Sequence, residues 1–207
     1  MTETRPQTRI QKKNREAILD AALEVFSIEC FRGATLDQIA TAAGLSKPNL
    51  LYYFASKEAI YTELLSKLLD TWLDPLRALD PNGDPINELI AYMRRKFEMS
   101  REFPRESRLF ANEIVQGAPR IFDEITGPLK ALVDETAALI QTWIDANRLA
   151  PIDPHHLIFS IWATTQHYAD FDVQVRGILI PDGDSHLDAA EAFLVTLYTR
   201  TLTPVAH

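Results

Sequence analysis

Residues 35–60, TLDQIATAAGLSKPNLLYYFASKEAI, constrain the fold more than any other part of the chain. Thr35 is placed to cap a short helix whose apolar positions are Leu36, Ile39, Ala40 and Ala43. Gly44 ends that helix, because glycine enters the left-handed turn conformation without steric cost. Ser46 can cap a second short helix, with Lys47, Asn49, Tyr52 and Tyr53 available to point outward, and Ser56 can cap a third, with Glu58 in its first turn. Two short helices around a tight glycine turn form a helix-turn-helix, the unit that lays its second helix in the DNA major groove. The plainer alternative is a helical hairpin that only packs. The outward residues argue against it, since Lys, Asn and Tyr are suited to phosphates and base edges.

The charge distribution fits. The chain of 207 residues carries a net charge of −8, which by itself is unfavourable for a DNA binder. Residues 1–55 hold seven Lys/Arg against six Asp/Glu, whereas residues 56–207 hold fourteen against twenty-three. Among the first fifteen residues Arg5, Arg9, Lys12, Lys13 and Arg15 stand against Glu3 alone, so basic charge is concentrated beside the helix-turn-helix. Arg5 reads equally well as a solvated tail or a DNA-contacting arm. Arg9, Lys12 and Lys13 enter the first helix and are read as phosphate contacts. Lys47, Tyr53 and Lys57 are expected mainly at phosphates, Asn49, Leu50 and Tyr52 nearer the bases, and Thr35 completes the DNA-facing set.

Turn signals divide the rest of the chain into helices. The first is expected from about Thr8 to Cys30, with Ile18, Ala21, Ala22, Val25 and Phe26 on its apolar face. The fourth starts near Ser56 and carries Ile60, Leu64, Leu65, Leu68, Leu69 and Trp72. After the DPNGDP loop at 80–85 a fifth turns Ile86, Leu89, Ile90, Met93 and Phe97 inward. A sixth begins at Pro104, and a seventh runs to about Asn147 with a break at Gly127-Pro128. An eighth spans about Pro154 to Val175, and a ninth follows PDGDSH at 181–186. No strand-like alternation and no repeat occurs. The expectation is an all-α chain of nine helices: residues 1–55 a DNA-binding domain, residues 56–207 a helical ligand-binding and dimerisation domain.

From Leu157 to Phe171 the eighth helix is apolar or small almost all round, so it needs cover on more than one side. Its own domain supplies one cover; a second copy, meeting it through the eighth and ninth helices, would supply another. One stripe of this helix, Phe159, Trp162, Gln166 and Asp170, stays within roughly 80° of arc. Aromatic bodies beside an amide and a carboxylate suit a small planar ligand, since a primary amide donates and accepts at once. From the stripe alone the plainer reading is favoured, in which Gln166 satisfies a buried helix end or crosses the dimer interface.

Residues 35–60, with the helix before them, resemble the N-terminal domain of the TetR family of transcriptional regulators, through Thr35, Ile39, Ala40, Ala43, Gly44, Ser46, Tyr53, Phe54, Ser56, Lys57 and Glu58. Leu51 and Pro48 stand where that family commonly has Tyr and a small residue, a departure bearing on which bases are read. PIDPHHLIFSIWATTQHYADFDVQVR at 151–176, with SRLFANEI, GAP and LKALVDE within 98–140, is similar to a pyrimidine-utilisation subgroup that responds to uracil and thymine. The resemblance covers most of residues 15–176. It implies a pyrimidine site at Trp162 and Gln166, with Phe97, Phe110 and Glu113 added by helical facing and Asp170 by the stripe. It also implies a homodimer on double-stranded operator DNA, released by uracil or thymine. The alternatives are a sensor of another apolar or lipid-like ligand and, more remotely, a pyrimidine-binding enzyme.

Other chemistries find little support. His155 and His156 are adjacent and diverge by about 100° on a helix, His167 lacks a partner one turn on, and His186 and His207 are expected in a loop and a tail, so no metal site is expected. Seven glycines form no phosphate loop, and no enzyme nucleophile or cofactor motif is found. Cys30 is the single cysteine and is expected to be a buried thiol, compatible with a reducing cytoplasm. No apolar run is long enough to span a membrane, and the basic, polar start is not expected to be a secretory signal.

Overall fold

The computed structural model describes residues 9–204, so Arg5 and His207 lie outside the described residues. Among these residues every regular element is helical. In order they are α1 (Arg9–Gly33), α2 (Leu36–Ala42), α3 (Lys47–Tyr53), α4 (Lys57–Arg77), α5 (Pro85–Glu102), α6 (Pro104–Val115), α7 (Phe122–Glu124), a π-helical turn (Ile125–Leu129), α8 (Lys130–Asp145), α9 (Pro154–Asp170), α10 (Asp172–Leu179) and α11 (Ser185–Leu202). Nine expected helices have become eleven because two are divided. At Gly127-Pro128, the break expected in the seventh, the backbone widens into the π turn that separates α7 from α8. Phe171, at φ −115°, ψ 28°, leaves helical geometry and separates α9 from α10.

The chain forms two compact units, one ending at Leu68 and one starting at Leu69. The division falls within α4, later than the 55/56 boundary read from the sequence. The reason is local packing: Ile60 and Leu65 are fully buried, and Tyr61 stands edge-on to Phe26 of α1 with ring centroids 4.8 Å apart. The first half of α4 is therefore core of the N-terminal unit, together with Ile18, Ala22, Ile39 and Leu50.

In the second unit the buried cluster draws on α5 (Leu89, Met93, Phe97), α8 (Ile140, Trp143), α9 (Leu157, Ile158, Ile161) and α11 (Leu194, Tyr198). Asp84 and Asp153 accept hydrogen bonds from Asn87 N and His156 N, starting α5 and α9, and each helix opens with a proline, whose missing N–H is needed least there. Two sequence expectations are corrected. Cys30 is exposed, because α1 departs from helical geometry at that residue (φ 53°, ψ 175°). His186 lies in the first turn of α11, not in a loop, and is buried. No helix among the described residues is long and apolar enough to cross a membrane.

Candidate functional site

In the N-terminal unit the second short helix is held in place by caps. Thr35 Oγ1 accepts from Gln38 N (3.2 Å) while Gln38 Oε1 accepts from Thr35 N (2.8 Å), a reciprocal capping box that starts α2. Gly44, at φ 67°, makes the turn, and Ser46 Oγ accepts from Asn49 N (3.4 Å) to start α3. Arg15 of α1 fixes the other end of α3: Nη1 donates to Tyr53 O (2.7 Å), Nε donates to Glu63 Oε1 (2.9 Å), and the guanidinium lies 4.0 Å from the Phe54 ring centroid. The tyrosines tie in as well, with Asn14 Nδ2 donating to Tyr53 Oη (2.8 Å) and Gln11 Nε2 to Tyr52 Oη (3.1 Å). The outer face of α3 and the opening turns of α1 thus belong to one rigid frame.

On that frame Lys47, Asn49, Leu51 and Tyr52 are exposed, as are Arg9, Lys12 and Lys13. Lys47 pairs with Asp37 at 2.9 Å on the surface, a contact a phosphate can replace. Thr35 is exposed, with its hydroxyl engaged in the capping box. Two residues of the DNA-facing set are placed otherwise. Leu50 is fully buried in the helix-turn-helix core and does not face outward; Leu51 takes the exposed position. Lys57 donates to Phe31 O (2.7 Å) and Ala34 O (2.6 Å) and lies 4.6 Å from the Phe31 ring centroid, so its ammonium ties down the carbonyls at the end of α1.

In the second unit Trp162, Gln166 and Asp170 of α9 and Phe110 of α6 line one cavity of about 940 Å³, together with Leu69, Trp72 and Leu73 of α4, Lys96 of α5 and Arg108 of α6. Trp162 Nε1 donates to Tyr92 Oη (2.6 Å), which fixes the indole plane; burial raises the Tyr92 phenol well above its ordinary range and keeps it protonated. Trp72 and Phe110 pack at a centroid distance of 5.7 Å. Among the described residues the Gln166 amide has no protein hydrogen-bond partner and lies in the cavity wall. Asp170 Oδ1 accepts from Ser107 Oγ (2.5 Å), and desolvation raises this carboxyl above the usual range despite that bond and the nearby cations.

Three sequence-named residues fall elsewhere. Phe97 is core, edge-on to Tyr168 at 5.5 Å, and borders a smaller cavity of about 220 Å³. Glu113 is buried but accepts from Arg120 N (3.0 Å) and pairs with Arg120 Nη1 (3.1 Å), so it holds the turn after α6 and does not line the large cavity. Phe159 points to solvent. The sequence reading also missed a cavity residue: Lys96, with 4 % exposure, sits on the inward stripe of α5 one turn beyond Met93. A lysine on an apolar stripe was the available signal. Burial lowers its ammonium to about 8, opposed by Asp170, and Nζ lies 4.7 Å from the Trp72 ring centroid.

Residues 18–64 match the bacterial regulatory proteins of the tetR family, and residues 65–205 match the C-terminal region of YcdC-like proteins. The HTH-type transcriptional regulator RutR of Escherichia coli is 52% identical over 175 residues, 84% of this chain and 82% of that protein. The HTH-type transcriptional activator FasR of Mycolicibacterium smegmatis is 28% identical, covering 80% of this chain and 79% of its own. Among solved structures, a regulatory protein in the tetR family from Rhodococcus RHA1 superposes with a TM-score of 0.75 at 17% identity, over 94% of this chain and 99% of the other. The chain therefore belongs to the TetR family of helix-turn-helix transcriptional regulators, proteins that dimerise and bind operator DNA and are not enzymes.

Proposed function

We propose that this regulator controls pyrimidine utilisation in the cytoplasm, with uracil or thymine as the effector that releases operator DNA. The observation that carries the reading is the convergence of Trp162, Gln166 and Trp72 on one cavity, with an amide free to act. The lactam and imide edges of a pyrimidine present an N–H beside a C=O, which a primary amide complements with its own acceptor and donor. The indole held by Tyr92 offers a flat apolar wall for the ring. The RutR-like sequence around Trp162 and Gln166 supports the same assignment.

The dimer is assigned to α9 and α11, where Phe159, Phe193 and Leu197 are 47%, 60% and 38% exposed. Apolar side chains exposed along two helices favour a self-complementary contact with a second copy. The link between effector and DNA is assigned to α4, which runs as one helix from Lys57 to Arg77 and carries Trp72 on the cavity wall. An effector can shift such an equilibrium only by its differential affinity for the two states, about 1–3 kcal/mol in typical cases.

A second reading, a larger apolar ligand, is favoured by one observation. A cavity of about 940 Å³ lies at the top of the roughly 300–1,000 Å³ range for drug-sized ligands. Operator gel shifts with and without uracil, thymine or a medium-chain acyl compound separate the two. Release by the pyrimidines alone supports the proposal; release by the acyl compound alone overturns it.

A further inference from the structure

Lys96 has a role left unassigned by the effector reading. Its ammonium is buried, lies over the face of Trp72, and among the described residues forms neither a hydrogen bond nor an ion pair. An isolated buried ammonium is expensive, and a structural lysine at such a depth is normally paired. The side chain instead opens onto the large cavity, whose lining is mostly apolar, with Trp72, Leu73, Phe110 and Ile114 in it, and whose other polar residues are Arg108, Asn112, Gln166 and Asp170. Asp170 lines the same cavity and acts on Lys96 through space. Ser107 occupies one oxygen of that carboxyl.

We propose that Lys96 is a covalent capture site, whose ε-amine condenses with a small aliphatic aldehyde entering the cavity to form an imine, with Asp170 as the proton donor and acceptor. The nitrogen lone pair adds to the aldehyde carbon, and the C=O electron pair moves to oxygen. A proton passes from nitrogen to that oxygen, giving a carbinolamine. Asp170 then protonates the hydroxyl, water leaves, and the nitrogen lone pair closes the C=N bond. The nitrogen proton returns to the Asp170 carboxylate. The balance is amine plus aldehyde giving imine plus water, with no oxidant or reductant.

The environments of both groups favour this. With its acidity near 8, Lys96 holds on the order of 100-fold more neutral amine at pH 7 than an ordinary lysine titrating near 10.4. Desolvation raises the Asp170 carboxyl above the usual range, against the Ser107 hydrogen bond and the charges of Arg108, His167 and Lys96, which makes it a better proton donor than an ordinary aspartate. The apolar part of the wall, Trp72, Leu73, Phe110 and Ile114, suits a short alkyl tail. This inference does not depend on the pyrimidine reading, since it uses an amine to which that reading gives no part.

The test is reductive trapping of the full-length protein with limiting propanal and cyanoborohydride at pH 7, followed by peptide mapping by mass spectrometry. The expected result is a single propyl adduct on Lys96, forming at least roughly tenfold faster than on exposed lysines such as Lys67 and Lys130. Its rate should rise to a half-maximum near pH 8, while the exposed lysines continue to climb. Asp170→Asn should slow the Lys96 adduct about tenfold and leave exposed lysines unchanged. Adducts on exposed lysines with Lys96 lagging would overturn the capture site, and an unchanged Lys96 rate in Asp170→Asn would remove the carboxyl from it. Site-resolved rates in the unaltered protein decide the first point even if Lys96→Arg fails to fold.

Discussion

In the unit ending at Leu68, cations lie at or near the surface and their partners are helix-end carbonyls or carboxylates. Lys57 ties down the carbonyls of Phe31 and Ala34, Arg15 reaches the carbonyl of Tyr53, and Lys47 meets Asp37 in solvent. In the unit starting at Leu69, Lys96 and Asp170 are instead withdrawn into a wall of aromatic and aliphatic side chains, and both have shifted toward their neutral forms. Charge kept in water stays available for phosphates and costs little. Charge taken out of water costs stability and gains reactivity or selectivity in return.

The sharpest way to break this contrast is to remove the buried cation. The folded Lys96 titrates near 8 and the unfolded lysine near 10.5, so between those values the unfolded chain binds more protons and stability rises with pH. Lys96→Met should therefore gain on the unaltered protein at pH 7, and that advantage should shrink by about 3 kcal/mol between pH 7 and 10.5. Denaturant titrations at the two pH values measure it; a gap independent of pH would show that Lys96 is not held in low dielectric.

Arg15→Ala should act on the DNA side without any change in effector affinity. It removes the donor to Tyr53 O and leaves Glu63, about a quarter exposed, without that partner, a loss of about 2 kcal/mol for a half-buried pair. Because Arg15 fixes the end of α3, operator affinity should fall more than non-specific DNA affinity. Equal losses for both would make Arg15 a simple phosphate contact.

Gln166→Ala sharpens the other half. Loss of the amide should weaken uracil binding in calorimetry by roughly tenfold, about 1.4 kcal/mol, while operator binding without effector stays within about twofold. Undiminished uracil affinity would move the pyrimidine away from Gln166.

The smallest effect separates two lysines of the same unit. Lys47→Ala should leave the melting temperature nearly unchanged and reduce the salt dependence of operator binding by about one phosphate contact. Lys57→Ala should do the reverse, losing about 1 kcal/mol of stability with the carbonyls of Phe31 and Ala34 unsatisfied and changing the salt slope less. A steeper loss of slope at Lys57 than at Lys47 would restore Lys57 as the principal phosphate partner.

What the sequence determined by itself is local. The caps at Thr35, Ser46, Asp84 and Asp153, the turn at Gly44 and the apolar stripes of α4, α5 and α9 each depend on residues within a few positions of one another. These are enough to fix an all-α chain with a helix-turn-helix, and the one-stripe placement of Trp162, Gln166 and Asp170 followed from helical geometry alone. Tertiary structure decided everything that depends on which neighbouring helix arrives opposite. It turned Leu50 inward and Leu51 outward, because two adjacent residues on a short helix differ by about 100° and only packing within the N-terminal unit selects between them. It gave Lys57 to the end of α1, twenty-three and twenty-six residues away. It took Glu113 from the cavity to Arg120, and it enclosed Lys96, whose sequence neighbours Arg94 and Arg95 remain in solvent. Helix periodicity sets the direction of a side chain; the dielectric around it is set by chain segments distant in sequence, and that is why the buried charges were the least legible part of this protein.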